Sequence, residues 1–356
     1  MGLIDSGINR IIRDNKIAII CHTAPDTDAI ASLVALKKLI KQNLPEELLT
    51  EKQIDLFVDA EEINEIDSAM LKNVEYNVQN CDLYDLAISV DCASSSRLGK
   101  YEELYNNAKF KINIDHHSTN TKFGDINLIF NASSTCEALY ILSKLRKFKI
   151  SDEVCNLIYS GIITDTNNLT QGTITKLTHK TITEMVERNI NTQALHDHFF
   201  KNNTKSKAYL LQKALSSMRF YSKDKIVFMK LTNKDMHECD ATFDDTLGII
   251  NHGIDIKGVE IAILAIRKDD NTYYVSLRSK NNVRVDEIAT SFGGGGHDQV
   301  AAFQYNGIYF DLQRLLISAC KEELDKHHSD ENIVENLFLG DDDESANLYD
   351  INEWNN

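Results

Sequence analysis

The side chains in this chain best suited to chemistry are acids and histidines in four clusters: His22, Asp26 and Asp28; Asp91; Asp115-His116-His117; and Asp165 between Thr164 and Thr166. Plain hydrophobic segments separate them. Hard divalent ions take carboxylate oxygens, and imidazole is acceptable to manganese, iron or cobalt. Asp26, Asp28, Asp91 and Asp165 gathered around one cavity without a cation would raise one another's pKa, so their grouping makes most sense with metal. Two ions about 3.5–4 Å apart can lower the pKa of a bridging water and clamp phosphoryl oxygens during in-line displacement. The chemistry these clusters permit is metal-assisted hydrolysis of a phosphoester. Taken singly they have blander readings: Asp26 and Asp28 as helix caps, Asp115-His-His as a polar strand end, Asp165 as a turn residue. Their combination and order favour the metal reading. A fifth feature, Gly293-Gly294-Gly295-Gly296 followed by His297, is the kind of run that lets backbone amides approach an anion closely.

The elements that must position these groups follow from the apolar pattern. Residues 16–21, 54–58, 86–90 and 110–114 read as strands with helical stretches between them, and Ala29 to Lys41 has helical spacing. That alternation implies an α/β fold with a largely parallel sheet. The cluster from His22 to Asp28 then lies on a strand-to-helix loop. Asp91 and Asp115 fall just beyond the carboxyl ends of strands, where ligands gather in such sheets. Ser134-Thr-Cys-Glu137 has the pattern of a capping box opening a helix to about Arg146, and Ser151 to Ile163 reads as another helix. Residues 191–222 look helical and polar, a connector without a strand. Residues 225–231, 259–266 and 273–277 mark a second sheet, with helices near 243–251, 285–291 and 312–326.

The 356 residues, 42% of them apolar, suit about two domains with ordinary cores. The first twenty residues carry Asp5, Arg10, Arg13, Asp14 and Lys16, which fits neither a signal peptide nor a membrane span. Seven cysteines, an odd number without finger-like spacing, fit reduced core thiols in a soluble, cytoplasmic protein. A net charge of -16 argues against a protein that clings to long nucleic acid through its whole surface, and no membrane association is expected. The last stretch, 329–356, is acidic with no Lys or Arg and reads as a solvated tail; Leu337, Phe338, Tyr349 and Trp354 are apolar groups there that a protein partner could bind.

In type and order these motifs resemble the DHH phosphoesterases, named for the triplet that stands here as Asp115-His116-His117, joined to the DHHA1 domain marked by the glycine run ending in His297. The resemblance spans roughly residues 8–322. Within the superfamily the compact layout looks most like the bacterial nano-RNase and pAp phosphatase branch. It implies a catalytic domain over 1–190, a connector over 191–222, a smaller α/β substrate-binding domain over 223–322, an acidic, disordered tail over 323–356, and an active site in the inter-domain cleft. It further implies two divalent ions, manganese the first choice, with His22 and Asp26 on one, Asp28, His116 and Asp165 on the other, and Asp91 bridging. His117 would face the scissile phosphate, and Asp115 would orient the histidines. Arg278, Ser279, the four glycines and His297 would bind the substrate's far phosphate or nucleotide; Arg97 would support its loop or reach phosphate. The implied substrates are very short oligoribonucleotides, with pAp as a second; cyclic or linear signalling dinucleotides are the alternative, and a silent nucleotide sensor is the non-enzymatic one. Departures from the family pattern at Ala24, Ala31, Asn167-Asn168-Leu169 and Phe303 remove no ligand but alter the cavity edge and the phosphate loop.

Overall fold

A computed structural model of the chain describes residues 2–338 except 60–62, 64–68, 82, 189, 270 and 282; at 297 and over 327–338 it describes the backbone alone. The chain divides into two compact units, 1–202 and 203–356.

In the first unit, helix α1 (Leu3–Arg13) precedes strand β1 (Lys16–Ile20) and helix α2 (Thr27–Asn43). Strands β2 (Gln53–Phe57), β3 (Leu86–Val90), β4 (Lys111–Asp115) and β5 (Ile126–Ile129) follow, then helices α3 (Thr135–Leu145), α4 (Asp152–Asp165), α5 (Lys176–Val186) and α6 (Thr192–Phe200). The sheet order is β2-β1-β3-β4-β5, and every pairing is parallel. Parallel sheets are covered on both faces, which is why β3 is buried at all five positions. One face packs Ile17, Ile19, Ile88 and Ile112 against α2, α3 and α4; the other packs Ala18, Ile20, Phe57, Tyr84 and Tyr105. Each fully buried aliphatic side chain contributes about 1.5–3 kcal/mol through removal from water.

Order 2-1-3-4-5 reverses direction between β1 and β3, the switch point beyond whose strand carboxyl ends ligands gather in such sheets. His22 follows β1 and Asp91 follows β3, so the two polar clusters expected on loops flank the switch point.

Strand β5 escapes the apolar pattern because it is a four-residue edge strand, half of it only partly buried. Ser134 caps α3 as expected, its hydroxyl accepting from the Glu137 amide at 3.0 Å. The reciprocal half of the expected box is absent: the Glu137 carboxylate accepts from Ser133, not from the cap's own amide.

The second unit contains helix α7 (Lys205–Ser216) and strands β6 (Arg219–Tyr221), β7 (Ile226–Leu231), β8 (Ile261–Arg267) and β9 (Thr272–Ser279). Helix α8 (Val285–Ser291), strands β10 (Gly295–His297) and β11 (Val300–Asn306), and helix α9 (Tyr309–Phe338) follow, and two short helices, Asn233–Glu238 and Asn251–Ile254, lie between β7 and β8. The sheet order is β10-β11-β9-β8-β7-β6, antiparallel except for β7 with β8.

The stretch read as a connector is therefore divided between the units. Helix α6 packs on the first, while Leu210 and Ala214 of α7 are buried in the second and 219–221 form a strand. The boundary expected at 322 falls inside α9: Leu324 belongs to the core, and the helix runs on to Phe338. The rest of the acidic tail, 339–356, lies outside the described residues. Among the described residues no helix is long and apolar enough to cross a membrane, and the seven cysteines carry no disulfide.

Candidate metal centre

Each acid and histidine of the centre is placed by the end of a regular element. Asp26 is the N-cap of α2 and accepts from the Ala29 amide at 3.0 Å, the local bond that starts the helix. Asp28, two residues on, is carried inward by the first turn and is 1% exposed. Its two oxygens accept the amides of Thr135 at 2.7 Å and Cys136 at 3.0 Å, so the positive end of α3 holds a carboxylate that belongs to α2. Asp165 is the last residue of α4.

Asp91 turns the chain out of β3 with φ of +54°, a left-handed conformation that Asp tolerates better than most residues. Its two oxygens face different partners. Oδ2 lies 3.5 Å from His22 Nε2, and Oδ1 lies 3.6 Å from His116 Nε2 while accepting the Thr135 hydroxyl at 2.9 Å. His116 Nε2 is also 3.4 Å from Asp165 Oδ2.

The histidine tautomers follow from what each Nδ1 meets. A carbonyl can only accept, so Thr23 O at 2.7 Å places a proton on His22 Nδ1, and Ala132 O at 3.3 Å does the same for His116. In the neutral ring both Nε2 lone pairs are then turned toward the carboxylates, the arrangement metal-ligating histidines need. Arg97 Nη2, 3.3 Å from His22 Nδ1, is a close neighbour of the ring rather than its donor partner; the Arg97 carbonyl accepts the Thr23 amide at 2.8 Å and so supports the loop. His117 Nδ1 donates to Asp115 Oδ1 at 2.7 Å, which leaves the chemistry of that ring to Nε2. Asp115 is fully buried and also accepts from the His116 amide at 2.8 Å and from Asn120 at 2.6 Å. It spends its oxygens on holding the two histidines in place.

The structure thus brings together the eight acids and histidines expected in the centre. Donor atoms of His22, Asp26 and Asp91 lie within 4.8 Å of one another, and so do those of Asp28, His116 and Asp165. The electrostatics fit a cation. In the metal-free protein, burial and then the Asp91 charge push the Asp28 carboxyl up to about 7. Burial opposes protonation of His116, but Asp91, Asp165 and Asp28 outweigh it and raise it to about 9. Burial and then Asp28 raise Asp165 to about 8. Its side chain keeps 28% of its surface open, so water softens that effect and enclosed Asp28 is the firmer case. Asp91 is held below the ordinary carboxylate range: burial opposes this, and the His22 hydrogen bond and the His116 charge prevail. Hard oxygens plus oriented imidazoles, with protons kept where positive charge is missing, are a donor set for divalent metal.

These shifts predict a pH dependence. Unfolded carboxyls titrate near 3.9, so a folded value of about 7 at Asp28 means stability is lost as pH rises between the two. His116, near 6.5 unfolded and about 9 folded, loses its contribution over the next interval in the same direction. The metal-free melting temperature is expected to fall from pH 5 to pH 9. Divalent metal, which needs ionised carboxylates and neutral imidazoles, should displace those protons and widen its stabilisation as pH rises, to about 4 kcal/mol at a thousandfold excess over Kd. Melting curves with chelator and with Mn2+ across this range check it; a metal-free melting temperature that climbs with pH would contradict it.

In the second unit the expected phosphate-binding residues divide. Arg278, on β9, is half-buried, touches the Leu277 carbonyl at 3.0 Å, and has no carboxylate within 4.0 Å among the described residues. Ser279 is otherwise engaged: it is buried and its hydroxyl donates to the Val283 carbonyl at 2.6 Å, so it holds the turn after β9. The glycines are not equivalent. Gly293, φ +81°, ends α8 with its amide on the Thr290 carbonyl at 2.9 Å. A Cβ on Gly294 or Gly296 would overlap the β11 backbone, whereas one on Gly293 or Gly295 would meet nothing within 4 Å. Gly293, Gly294 and Gly296 thus have a local reason to be glycine in the cap and in the hairpin of β10 with β11, whether or not an anion binds there. The backbone of His297 pairs with Val300, and its side chain lies outside the described residues.

Sequence reading missed Thr135, Cys136, Asn120 and Gly161. Gly161 had a visible signal, since an isolated glycine inside a helix costs about 1 kcal/mol relative to alanine and asks for a reason. The reason is close approach: a Cβ there would overlap the Asp28 carboxylate and the Cys136 sulfur.

Fold and site together define a two-unit α/β protein with an acid and histidine centre for divalent metal at the switch point of a parallel sheet. More particularly, residues 16–162 match the N-terminal domain of the DHH family and residues 223–324 match the DHHA1 domain. It is 28% identical over 306 residues to the probable bifunctional oligoribonuclease and PAP phosphatase NrnA of Streptococcus mutans, covering 83% of this chain and 93% of that one. The bifunctional oligoribonuclease and PAP phosphatase NrnA of Mycoplasma genitalium is 27% identical over 311 residues, covering 84% and 92%. Among solved structures, an exopolyphosphatase-related protein from Bacteroides fragilis superposes with a TM-score of 0.77 at 22% identity, over 90% of this chain and 96% of that one, a likeness of fold.

Proposed function

We propose that this protein hydrolyses phosphodiester bonds in very short oligoribonucleotides and releases phosphate from pAp, using two divalent ions, manganese first among them. Asp91 carries the reading. Its carboxylate stands between His22 and His116 with one oxygen toward each, the placement of a bridging ligand, and each histidine has a further carboxylate beside it. His22 and Asp26 would hold one ion, and Asp28, His116 and Asp165 the other. The oligoribonuclease and PAP phosphatase relatives, matched over 93% and 92% of their own lengths, support the substrate class.

Bound there, the ions would make a nucleophile of water near neutral pH and neutralise the phosphoryl oxygens. The protein's own part is orientation and proton handling. His117, fixed through Nδ1 by Asp115, would in its doubly protonated form point Nε2–H at the phosphate and give that proton to the leaving oxygen as the P–O bond breaks, becoming neutral with its remaining proton on Nδ1. Arg278, a half-buried guanidinium with no carboxylate within 4.0 Å among the described residues, would take a second phosphate in a planar fork.

A chromatographic time course with Mn2+ tests the proposal, offering 5′-phosphorylated RNA of two to five nucleotides, pAp and cyclic-di-AMP. Dimers and trimers should fall fastest to mononucleotides, with AMP released from pAp. Disappearance of the cyclic compound alone would replace the proposal with a signalling phosphodiesterase, and no metal-dependent turnover of any substrate would end it. Arg278→Ala should raise KM for the dimer roughly 10- to 100-fold with kcat little changed, the signature of lost uniform binding. An unchanged KM would take Arg278 out of substrate recognition.

A further inference from the structure

The segment between β5 and α3 touches three of the centre's ligands, which come from three other elements. The Ala132 carbonyl accepts from His116 Nδ1 at 3.3 Å. The Thr135 and Cys136 amides hold the two oxygens of Asp28 at 2.7 and 3.0 Å, and the Thr135 hydroxyl donates to Asp91 at 2.9 Å. Three of the five residues 132–136 therefore set the aim of His116, Asp28 and Asp91. What sets the segment itself is the next residue.

Glu137 is fully buried, and among the described residues no cationic side chain pairs with it. An enclosed carboxylate is costly unless donors surround it. The donors all converge on one oxygen: Oε2 accepts the Ser133 amide at 2.7 Å, the Ser133 hydroxyl at 2.6 Å and the Thr178 hydroxyl at 3.1 Å. Oε1 has no partner. The arrangement ties the approach to α3 onto the first turn of α5. A leucine of similar volume would avoid the desolvation cost, but it would leave the Ser133 amide unpaired and the segment unheld.

We propose that Glu137 is a positioning residue for the metal ligands: by fixing Ser133 to α5 it locks residues 132–136, whose groups orient His116, Asp28 and Asp91. This inference rests on the reading of the site as a metal centre. Since Glu137 touches neither ion nor substrate, its effect should appear in metal affinity and kcat, with KM little moved.

Calorimetric titration of metal-depleted protein with Mn2+, needing no substrate, provides the test. Glu137→Ala is expected to weaken binding by roughly 10- to 100-fold, as losses of groups that orient ligands do. Glu137→Gln should recover most of it, because an amide oxygen can still accept from Ser133. Ser133→Ala and Thr178→Val each remove one donor and should show a smaller loss in the same direction. Wild-type affinity in a folded Glu137→Ala would overturn the inference, and so would a lowered melting temperature with unchanged affinity. If Glu137→Ala does not fold, wild-type affinity in both Ser133→Ala and Thr178→Val would overturn it. Wild-type protein that binds no Mn2+ would remove the metal reading and this inference together; normal wild-type binding with unaltered variants removes the inference alone.

Discussion

Replacing Asp91 by asparagine is expected to lower kcat/KM on an RNA dimer by at least about a thousandfold, equivalent to about 4 kcal/mol of transition-state stabilisation. Asparagine keeps the shape and one acceptor oxygen, so the Thr135 hydroxyl retains a partner, but the charge that faces both His22 and His116 is gone. The choice of asparagine matters because residue 91 has φ of +54°. Alanine there would add backbone strain of about 1–2 kcal/mol, whereas asparagine adopts the left-handed region readily. Lost activity in Asp91→Asn with a normal melting curve therefore reports on the ligand and not on folding. Steady-state kinetics beside calorimetry of Mn2+ binding decide the point; a variant within tenfold of wild type would remove Asp91 from the centre of the mechanism.

His117 gives the second large effect, and here the expected pattern matters as much as the size. His117→Ala should lower kcat by about 10²- to 10⁴-fold, the usual range for a positioned acid or base, while Mn2+ affinity changes little. Asp115 acts through the histidines, donating nothing itself and accepting from His117 Nδ1. In Asp115→Asn the amide can present a donor to Nδ1, which favours the tautomer with its proton on Nε2 and removes the carboxylate that supports a ring protonated at both nitrogens. That variant should fall nearly as far as His117→Ala. The double variant should be little worse than His117→Ala, since removing the orienter of an absent ring has nothing further to disturb. Additive losses would mean that Asp115 has a separate task, for which its contacts with the His116 amide and Asn120 are the candidates.

Much of this architecture is legible in sequence because it is local. Apolar runs such as 86–90 announce a buried strand, and a polar residue at its carboxyl end can only sit at the rim of the sheet. Adjacent placement also makes Asp115-His116-His117 readable, since the pairing of Asp115 with His117 spans two residues. What stays hidden is carried by contacts far apart in the chain. Asp28 is held by Thr135 from 107 residues away, and nothing in a local pattern signals it. Glu137 matches a capping box, yet its carboxylate serves the neighbouring Ser133 and the remote Thr178. The glycine run is legible only in part for a related reason: its composition suggests an anion loop, while the close approach of β11, which no local pattern signals, requires glycine at 294 and 296 whether or not an anion binds. The β10 and β11 hairpin that creates this need has too few branched residues to read as strands.

The central claim is that phosphoester hydrolysis depends on two ions held around Asp91. Equilibrium dialysis of metal-depleted protein against rising Mn2+, with dimer hydrolysis measured in the same samples, tests it most directly. The account predicts no turnover without metal, saturation at two ions per chain, and a rate that follows occupancy of the second. Full activity with one ion bound, or in the presence of chelator with none, would contradict it.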